Sequence, residues 1–102
     1  MNLEELIQNL ESHWNTGGFL DAVRRGEFDA NSGHSFVALL RGIAISEHEL
    51  IPKRLLSLLW YLPLFLEWQK ERIAEANSSN TVSYEDFVTE VQNVLEEVLG
   101  VP

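Results

Sequence analysis

The stretch that decides the fold is LLSLLWYLPLFL, residues 55–66, which is almost entirely apolar. A membrane-spanning helix needs about 20 apolar residues to cross roughly 30 Å of hydrocarbon, so this run is too short to span. Charged residues bound it, with Lys53 and Arg54 before it and Glu67 after it. Runs of this length are more typical of buried helices. We therefore predict a core helix from Leu55 to Ala76 and no association with a membrane.

Pro63 lies inside this predicted helix, where its ring and its missing N–H disturb the turn that contains Leu59. Leu62 is a poor N-cap residue, so we predict a kink in the helix and not a clean break. The part before Glu67 is hydrophobic nearly all round, whereas the part after it is amphipathic. We therefore expect other helices to cover the apolar run on several sides.

The first two helices are predicted in the N-terminal quarter of the chain. The first extends from Leu3 to about His13, because apolar residues repeat at helical spacing and Asn2 with Glu5 forms a capping box. The glycine pair at 17–18 predicts a turn. A short second helix is predicted over residues 19–25, where apolar side chains again follow helical spacing.

Two more helices are predicted, one before the central helix and one after it. The polar segment 27–34 is predicted to be a connection, and a third helix follows over roughly 35–43. The stretch NSSNT, residues 77–81, has the composition of a linker. Ser83 is predicted to cap a final helix, which Gly100 ends.

The sequence therefore predicts an all-α fold, a single compact domain of 102 residues with five or six helices. The kinked hydrophobic helix is predicted to be central and to be covered mainly by the first, third and last helices. No internal repeat and no convincing strand pattern interrupts this helical periodicity.

The charge balance is the most unusual global feature of the chain. It has 7 Lys and Arg against 16 Asp and Glu, a net charge of −9. Such a surface repels nucleic acid and anionic lipid but attracts a basic protein. There is no cysteine, so the fold uses no disulfide and no cysteine zinc site. The N-terminus is acidic where an export signal needs positive charge, so we expect a cytoplasmic protein.

No residue pattern indicates catalysis. The three histidines, His13, His34 and His48, lack the four-residue spacing that places two imidazoles on one helix face for a metal. Ser32 and Ser35 lie near His34, but such proximity in sequence is not a catalytic arrangement. We therefore expect no enzymatic activity, no cofactor and no metal.

Acidic stripes supply the predicted partner-binding residues. Four polar residues recur on one side of the final helix, and no Lys or Arg follows Arg72 to balance them. Glutamates at i, i+4 and i+8 form a second stripe, which Lys70 and Arg72 partly neutralise. The predicted binding residues are Asp86, Glu90, Asn93 and Glu97 on the final helix, then Glu67, Glu71, Glu75 and Trp68. Trp68 either joins the core or reaches solvent as an interface anchor.

The whole chain resembles in kind the small acidic bacterial immunity proteins that neutralise a cognate toxin, such as those of contact-dependent growth inhibition. The resemblance rests on size, acidity, absence of cysteine and absence of a catalytic pattern. The stretches WNTGGFLDAVRRGEF and LLSLLWYLPLFLEWQKERI have a bacterial character. The resemblance implies a protein that binds a basic toxin, a nuclease in particular, and occludes its active site. We also expect a monomer, because the apolar run is too short to span a membrane and must be covered within the chain. The alternative is a homo-oligomeric or adaptor domain that buries its apolar surface between chains.

Overall fold

The computed structural model describes residues 2–102, and this part of the chain is helical, without strands. The helices are α1 (Leu3–Trp14), α2 (Phe19–Arg24), α3 (Ala30–Arg41), α4 (Lys53–Trp60), α5 (Leu62–Trp68), α6 (Lys70–Ala76) and α7 (Thr81–Leu99). Single residues join α4 to α5 and α5 to α6, so these three segments form one kinked rod. Counted in this way, residues 2–102 contain five α-helical units, which confirms the predicted all-α fold.

The rod is kinked where Pro63 predicts it. Tyr61 joins α4 to α5 and keeps a helical conformation, with φ −76° and ψ −19°. The Phe65 N–H still donates to the Tyr61 carbonyl at 3.0 Å. A second junction, at Gln69, separates α5 from α6. The sequence did not predict it, because neither proline nor glycine marks that position.

The inner face of the rod forms much of the hydrophobic core. Its fully buried leucines are Leu55, Leu59, Leu62 and Leu66. Helix α1 packs against α4, and α7 packs against α5 and α6, as predicted for the first and last helices. Helix α3 differs from the prediction, because it packs chiefly on α7 and not on the rod. The last helix is therefore sandwiched between the rod and α3.

Helix α3 begins at Ala30, five residues earlier than predicted. The Asp29 carboxylate caps it by accepting from the Ser32 N–H at 2.9 Å. Gly33 then faces Phe28 and Phe87 so closely that a Cβ atom there would lie 3.1 Å from each ring. The polar appearance of segment 27–34 thus reflects a cap and a close helix contact, and not a connection.

Helix α7 begins at Thr81, and the predicted linker before it is a short helical turn. Asn77 caps a 3-10 turn by accepting from the Ser79 N–H at 3.1 Å. Ser83 is therefore inside the helix, where its hydroxyl donates to the Asn80 carbonyl at 3.2 Å. Gly100 ends α7 with φ +83°, as predicted.

A buried tyrosine fixes α7 against the rod. The Tyr84 hydroxyl donates to the Leu66 carbonyl at 2.7 Å, close to the Gln69 junction. Burial raises the pKa of the Tyr84 phenol well above its ordinary value, and the nearby Glu67 carboxylate raises it further. The phenol therefore remains neutral and keeps this hydrogen bond as a donor.

The two adjacent glycines are needed for different reasons. Gly17 has φ +85°, which side-chain-bearing residues rarely adopt. Gly18 has ordinary dihedral angles, but a Cβ atom there would lie 2.2 Å from the Ser12 carbonyl oxygen. The pair thus serves the tight turn between α1 and α2, as the sequence predicts.

His13 lies half-buried at the end of α1, with its ring centroid 5.0 Å from that of Phe36 and 6.4 Å from that of Phe19. Burial lowers the pKa of His13 below its ordinary value of 6.5. The unfolded chain therefore binds a proton more readily than the folded chain does. Neutral His13 thus contributes stability above pH about 6.5, and this contribution is lost as the pH falls.

We expect the free energy of unfolding to fall as the pH is lowered from about 7.5 to about 5.5. The reason is that protonating the half-buried His13 is less favourable in the folded chain than in the unfolded chain. His13→Gln removes this component and flattens the profile, whereas His48→Gln, at an exposed position, leaves it intact. Urea denaturation across this pH range measures both. An equally steep pH profile in wild type and His13→Gln would contradict the assignment.

Candidate binding surface

The predicted stripe on α7 lies on the side of that helix next to α3. Asp86, Asn93 and Glu97 are exposed, whereas Glu90 is half-buried. The Arg41 guanidinium on α3 lies 3.8 Å from the Glu90 carboxylate. The final helix has no cation of its own, but helix packing places Arg41 of α3 next to Glu90, a pair that the sequence did not predict.

The second predicted stripe is interrupted by the Gln69 junction. Glu67, on α5, is exposed and pairs with the Lys70 ammonium at 3.0 Å, as its spacing predicts. Arg72 forms no ion pair with the stripe, and its guanidinium donates to the Arg24 carbonyl at 2.7 Å. Glu71 and Glu75, on α6, are exposed and form no ion pair within residues 2–102.

Trp68 reaches solvent, and 64% of its surface is exposed. It is not alone, because three more large apolar side chains of the rod are exposed. We call these four residues the apolar ridge: Leu56 (41% exposed), Trp60 (53%), Leu64 (44%) and Trp68. Each follows the one before it by four residues, a step that turns by about 40° round an α-helix, so the ridge winds gradually along α4 and α5 over about 18 Å.

The apolar ridge corrects the expectation that other helices cover the rod on several sides. The rod buries its inner face only, and its outer face remains in contact with solvent. Composition alone did not reveal this, because it does not say which face of an apolar helix remains uncovered. The recurrence of Leu56, Trp60 and Leu64 at four-residue spacing was the available signal, since a second apolar stripe exceeds what one buried face needs.

A shallow groove separates the ridge from the end of α7. Trp60 and Pro63 line its rod side, and Leu95 and Leu99 line its α7 side. Leu99 is 38% exposed and widens the apolar surface. Glu96 lies at the same groove and forms no ion pair within residues 2–102.

The opposite flank of Trp60 carries two arginines, Arg24 and Arg54. Both are already paired within the chain. Arg54 donates twice to the Glu11 carboxylate, at 2.9 and 2.8 Å, and Arg24 pairs with Asp21 at 3.1 Å. Arg24 and Arg54 are therefore neutralised locally, whereas Lys53 and Arg72, like Glu71 and Glu96, are exposed and form no ion pair within residues 2–102.

Tyr61 holds both exposed tryptophans in place. Its ring centroid lies 5.6 Å from the Trp60 ring and 6.0 Å from the Trp68 ring, both nearly edge-to-face. On its other side it contacts the Trp14 ring at 6.2 Å. The Trp14 indole N–H donates to the Leu58 carbonyl at 3.3 Å, which fixes this aromatic group to the rod.

No three His, Asp or Glu side chains within residues 2–102 lie close enough together to hold a metal ion. In the same part of the chain, no helix is both long enough and apolar enough to cross a membrane. No protein-family model, curated protein or solved structure matches the sequence or the fold. The function must therefore be inferred from the charge and shape of the surface.

Proposed function

We propose that this chain is a non-catalytic binding protein for a basic protein. Its proposed role is that of a bacterial immunity protein, which neutralises a cognate toxin in the cytoplasm by occluding the toxin's active site. The observation that carries the proposal is the apolar ridge, which lies exposed on a chain with a net charge of −9.

The apolar part of this surface supports a protein partner. Contiguous exposed apolar patches on small soluble proteins commonly mark interaction sites. Tryptophan is enriched among the residues whose truncation most weakens protein complexes. Trp60 and Trp68 are both more than half exposed, and both rings pack against the Tyr61 ring.

The charge supports a basic partner. The net charge of −9 accelerates the encounter with a positively charged protein and slows the encounter with an acidic one. A nuclease binds the phosphates of its substrate through Lys and Arg, so an acidic protein can compete for the same cleft. The stripe of Asp86, Glu90 and Glu97 adds to this attraction from the α3 side of α7.

The second candidate is a homo-oligomeric or adaptor domain. The apolar ridge favours it, because two copies could bury Trp60 and Trp68 against each other. The net charge of −9 on each copy opposes it. The two candidates predict different molar masses for the isolated chain, so light scattering separates them.

The proposed function is tested by growth of bacteria that express the product of the gene immediately upstream of this one. We expect that product to arrest growth and co-expression of this chain to restore it. Co-expression of this chain's gene with an early stop codon serves as the control for effects of the transcript. An upstream product that is harmless, or toxicity that this chain does not relieve, would contradict the proposal.

A further inference from the structure

We propose that the open cleft where α1, α2 and α4 meet binds a small planar monoanion, an aromatic ring that carries one carboxylate. The cleft lies on the flank of Trp60 that carries the two arginines. Its lining combines cationic and aromatic side chains with one hydroxyl: Trp14, Arg24, Arg54, Ser57, Trp60 and Tyr61. This inference is independent of the proposed function, because it concerns a small-molecule site and not a contact with another protein.

The size of the cleft suits a small molecule. Its volume is about 470 Å³, within the range of about 300–1,000 Å³ that is common for ligand pockets. The lining comes from three helices in different parts of the sequence, because Trp14 ends α1, Arg24 ends α2, and Arg54 lies in α4. The cleft is therefore a product of helix packing and not of one local turn.

The lining of the cleft selects an anion. Arg24 and Arg54 both line it, and no Asp or Glu does. Asp21 and Glu11, which pair with these arginines, lie outside the lining. Arg24 donates to its carboxylate through one N–H and Arg54 through two, so most N–H donors of each guanidinium have no partner within residues 2–102. A carboxylate in the cleft could accept from these donors, whereas an ammonium group would be repelled.

The existing ion pairs hold the guanidiniums at the cleft. Arg54 donates twice to one Glu11 oxygen, at 2.9 and 2.8 Å, which ties α4 to α1. Arg24 pairs with Asp21 and lies over the Phe65 ring, with its guanidinium carbon 5.4 Å from the ring centroid. Side chains that are already restricted lose less conformational entropy when a ligand binds. The two carboxylates therefore position the cations without occupying the cleft.

The aromatic walls select a planar ligand. The Tyr61 ring centroid lies 6.2 Å from that of Trp14 and 5.6 Å from that of Trp60. The indole N–H of Trp14 donates to the Leu58 carbonyl at 3.3 Å, which fixes this wall. Aromatic rings pack favourably with one another and with guanidinium planes. A planar ring in the cleft could contact these walls while its carboxylate reaches a guanidinium.

The charge of the chain limits the ligand to one negative charge. Lys53 precedes Arg54, and Arg72 donates to the Arg24 carbonyl, so two cations that form no ion pair within residues 2–102 lie next to the paired ones. The chain as a whole carries −9, which opposes the approach of a multiply charged anion. A monocarboxylate meets the least repulsion and still satisfies the guanidinium donors.

The experiment titrates the full chain with four molecules of one skeleton: phenylacetate, its neutral amide, cyclohexylacetate and phenethylammonium. The indole N–H signals of the three tryptophans report binding in proton–nitrogen NMR spectra. We expect phenylacetate to shift the Trp14 and Trp60 signals and to leave that of Trp68, which lies outside the lining, nearly unchanged. We expect the amide to bind at least about tenfold more weakly, and cyclohexylacetate at least about threefold more weakly. The ammonium compound should not bind at the cleft.

Single variants locate the site. Arg24→Gln and Arg54→Gln are each expected to weaken phenylacetate binding about tenfold, because each removes a charged donor. The two arginines belong to different helices, so one variant remains informative if the other disturbs the fold. Arg41→Gln is the matched control, because Arg41 is a similarly exposed, ion-paired arginine on α3 that lies outside the cleft.

Four results would overturn the inference. The first is that no indole signal shifts at phenylacetate concentrations up to about 10 mM. The second is equal binding of phenylacetate and its amide, and the third is binding of phenethylammonium at the same signals. The fourth is that folded Arg24→Gln and Arg54→Gln variants bind phenylacetate as Arg41→Gln does. The growth assay does not bear on this site, so the two proposals fail separately.

Discussion

Leu59→Ala is expected to reduce the free energy of unfolding by about 2–5 kcal/mol, the usual range for deleting a buried leucine. Leu59 has no exposed surface and lies on the inner face of the rod, between the helices that cover it. Truncation there removes apolar contacts and leaves a cavity that the flanking helices can only partly fill. Urea denaturation monitored by circular dichroism measures the loss.

Leu64→Ala is the matched control, since it makes the same chemical change five residues further along the same rod. Leu64 is 44% exposed on the outer face, so we expect a loss of at most about 0.5 kcal/mol. Equal losses at the two positions would mean that the rod does not have one buried and one exposed face. A loss below about 0.5 kcal/mol at Leu59 would place it outside the core.

Most of the fold could be predicted from local signals in the sequence. Asn2 caps α1 as predicted, with its side chain accepting from the Glu5 N–H at 2.8 Å. Pro63 and Gly100 mark the kink and the end of α7, because each restricts or permits specific backbone conformations. The start of α3 was missed because Asp29 caps it within a polar run. The Gln69 junction was missed because no residue there disfavours helix on its own.

Reversing the charge of three acidic residues of α7 is expected to slow association with a basic partner. Asp86→Lys, Glu90→Lys and Glu97→Lys each add two charges, which changes the net charge from −9 to −3. We expect the association rate to fall about tenfold at low ionic strength and the dissociation rate to change little. The difference should disappear near 1 M salt, where the screening length is about 3 Å.

Stopped-flow measurement across salt concentrations tests this effect with the toxin, once it is identified from the upstream gene. Glu4→Lys, Glu5→Lys and Glu47→Lys serve as the control, because these exposed residues lie elsewhere and change the net charge equally. If both triple variants slow association equally, the attraction comes from the net charge and not from α7. If neither does, charge does not guide the encounter.

The candidate site could be predicted only in part. Trp68 and the glutamates Glu67, Glu71 and Glu75 were named from sequence and are exposed. The apolar run that contains Trp60 and Leu64 was expected to be covered, because hydrophobicity alone does not say which face of a helix remains exposed. The Arg41–Glu90 pair was also missed, since the two residues are far apart in sequence and meet only through packing of α3 on α7.

Light scattering coupled to size exclusion tests most directly whether this chain binds a different protein through an exposed surface. We predict that the isolated chain has a molar mass of 11.7 kDa. We also predict that a mixture with the upstream gene product elutes as a complex with the sum of both masses. An isolated chain at twice its mass, or a mixture that elutes as two separate proteins, would contradict the proposal.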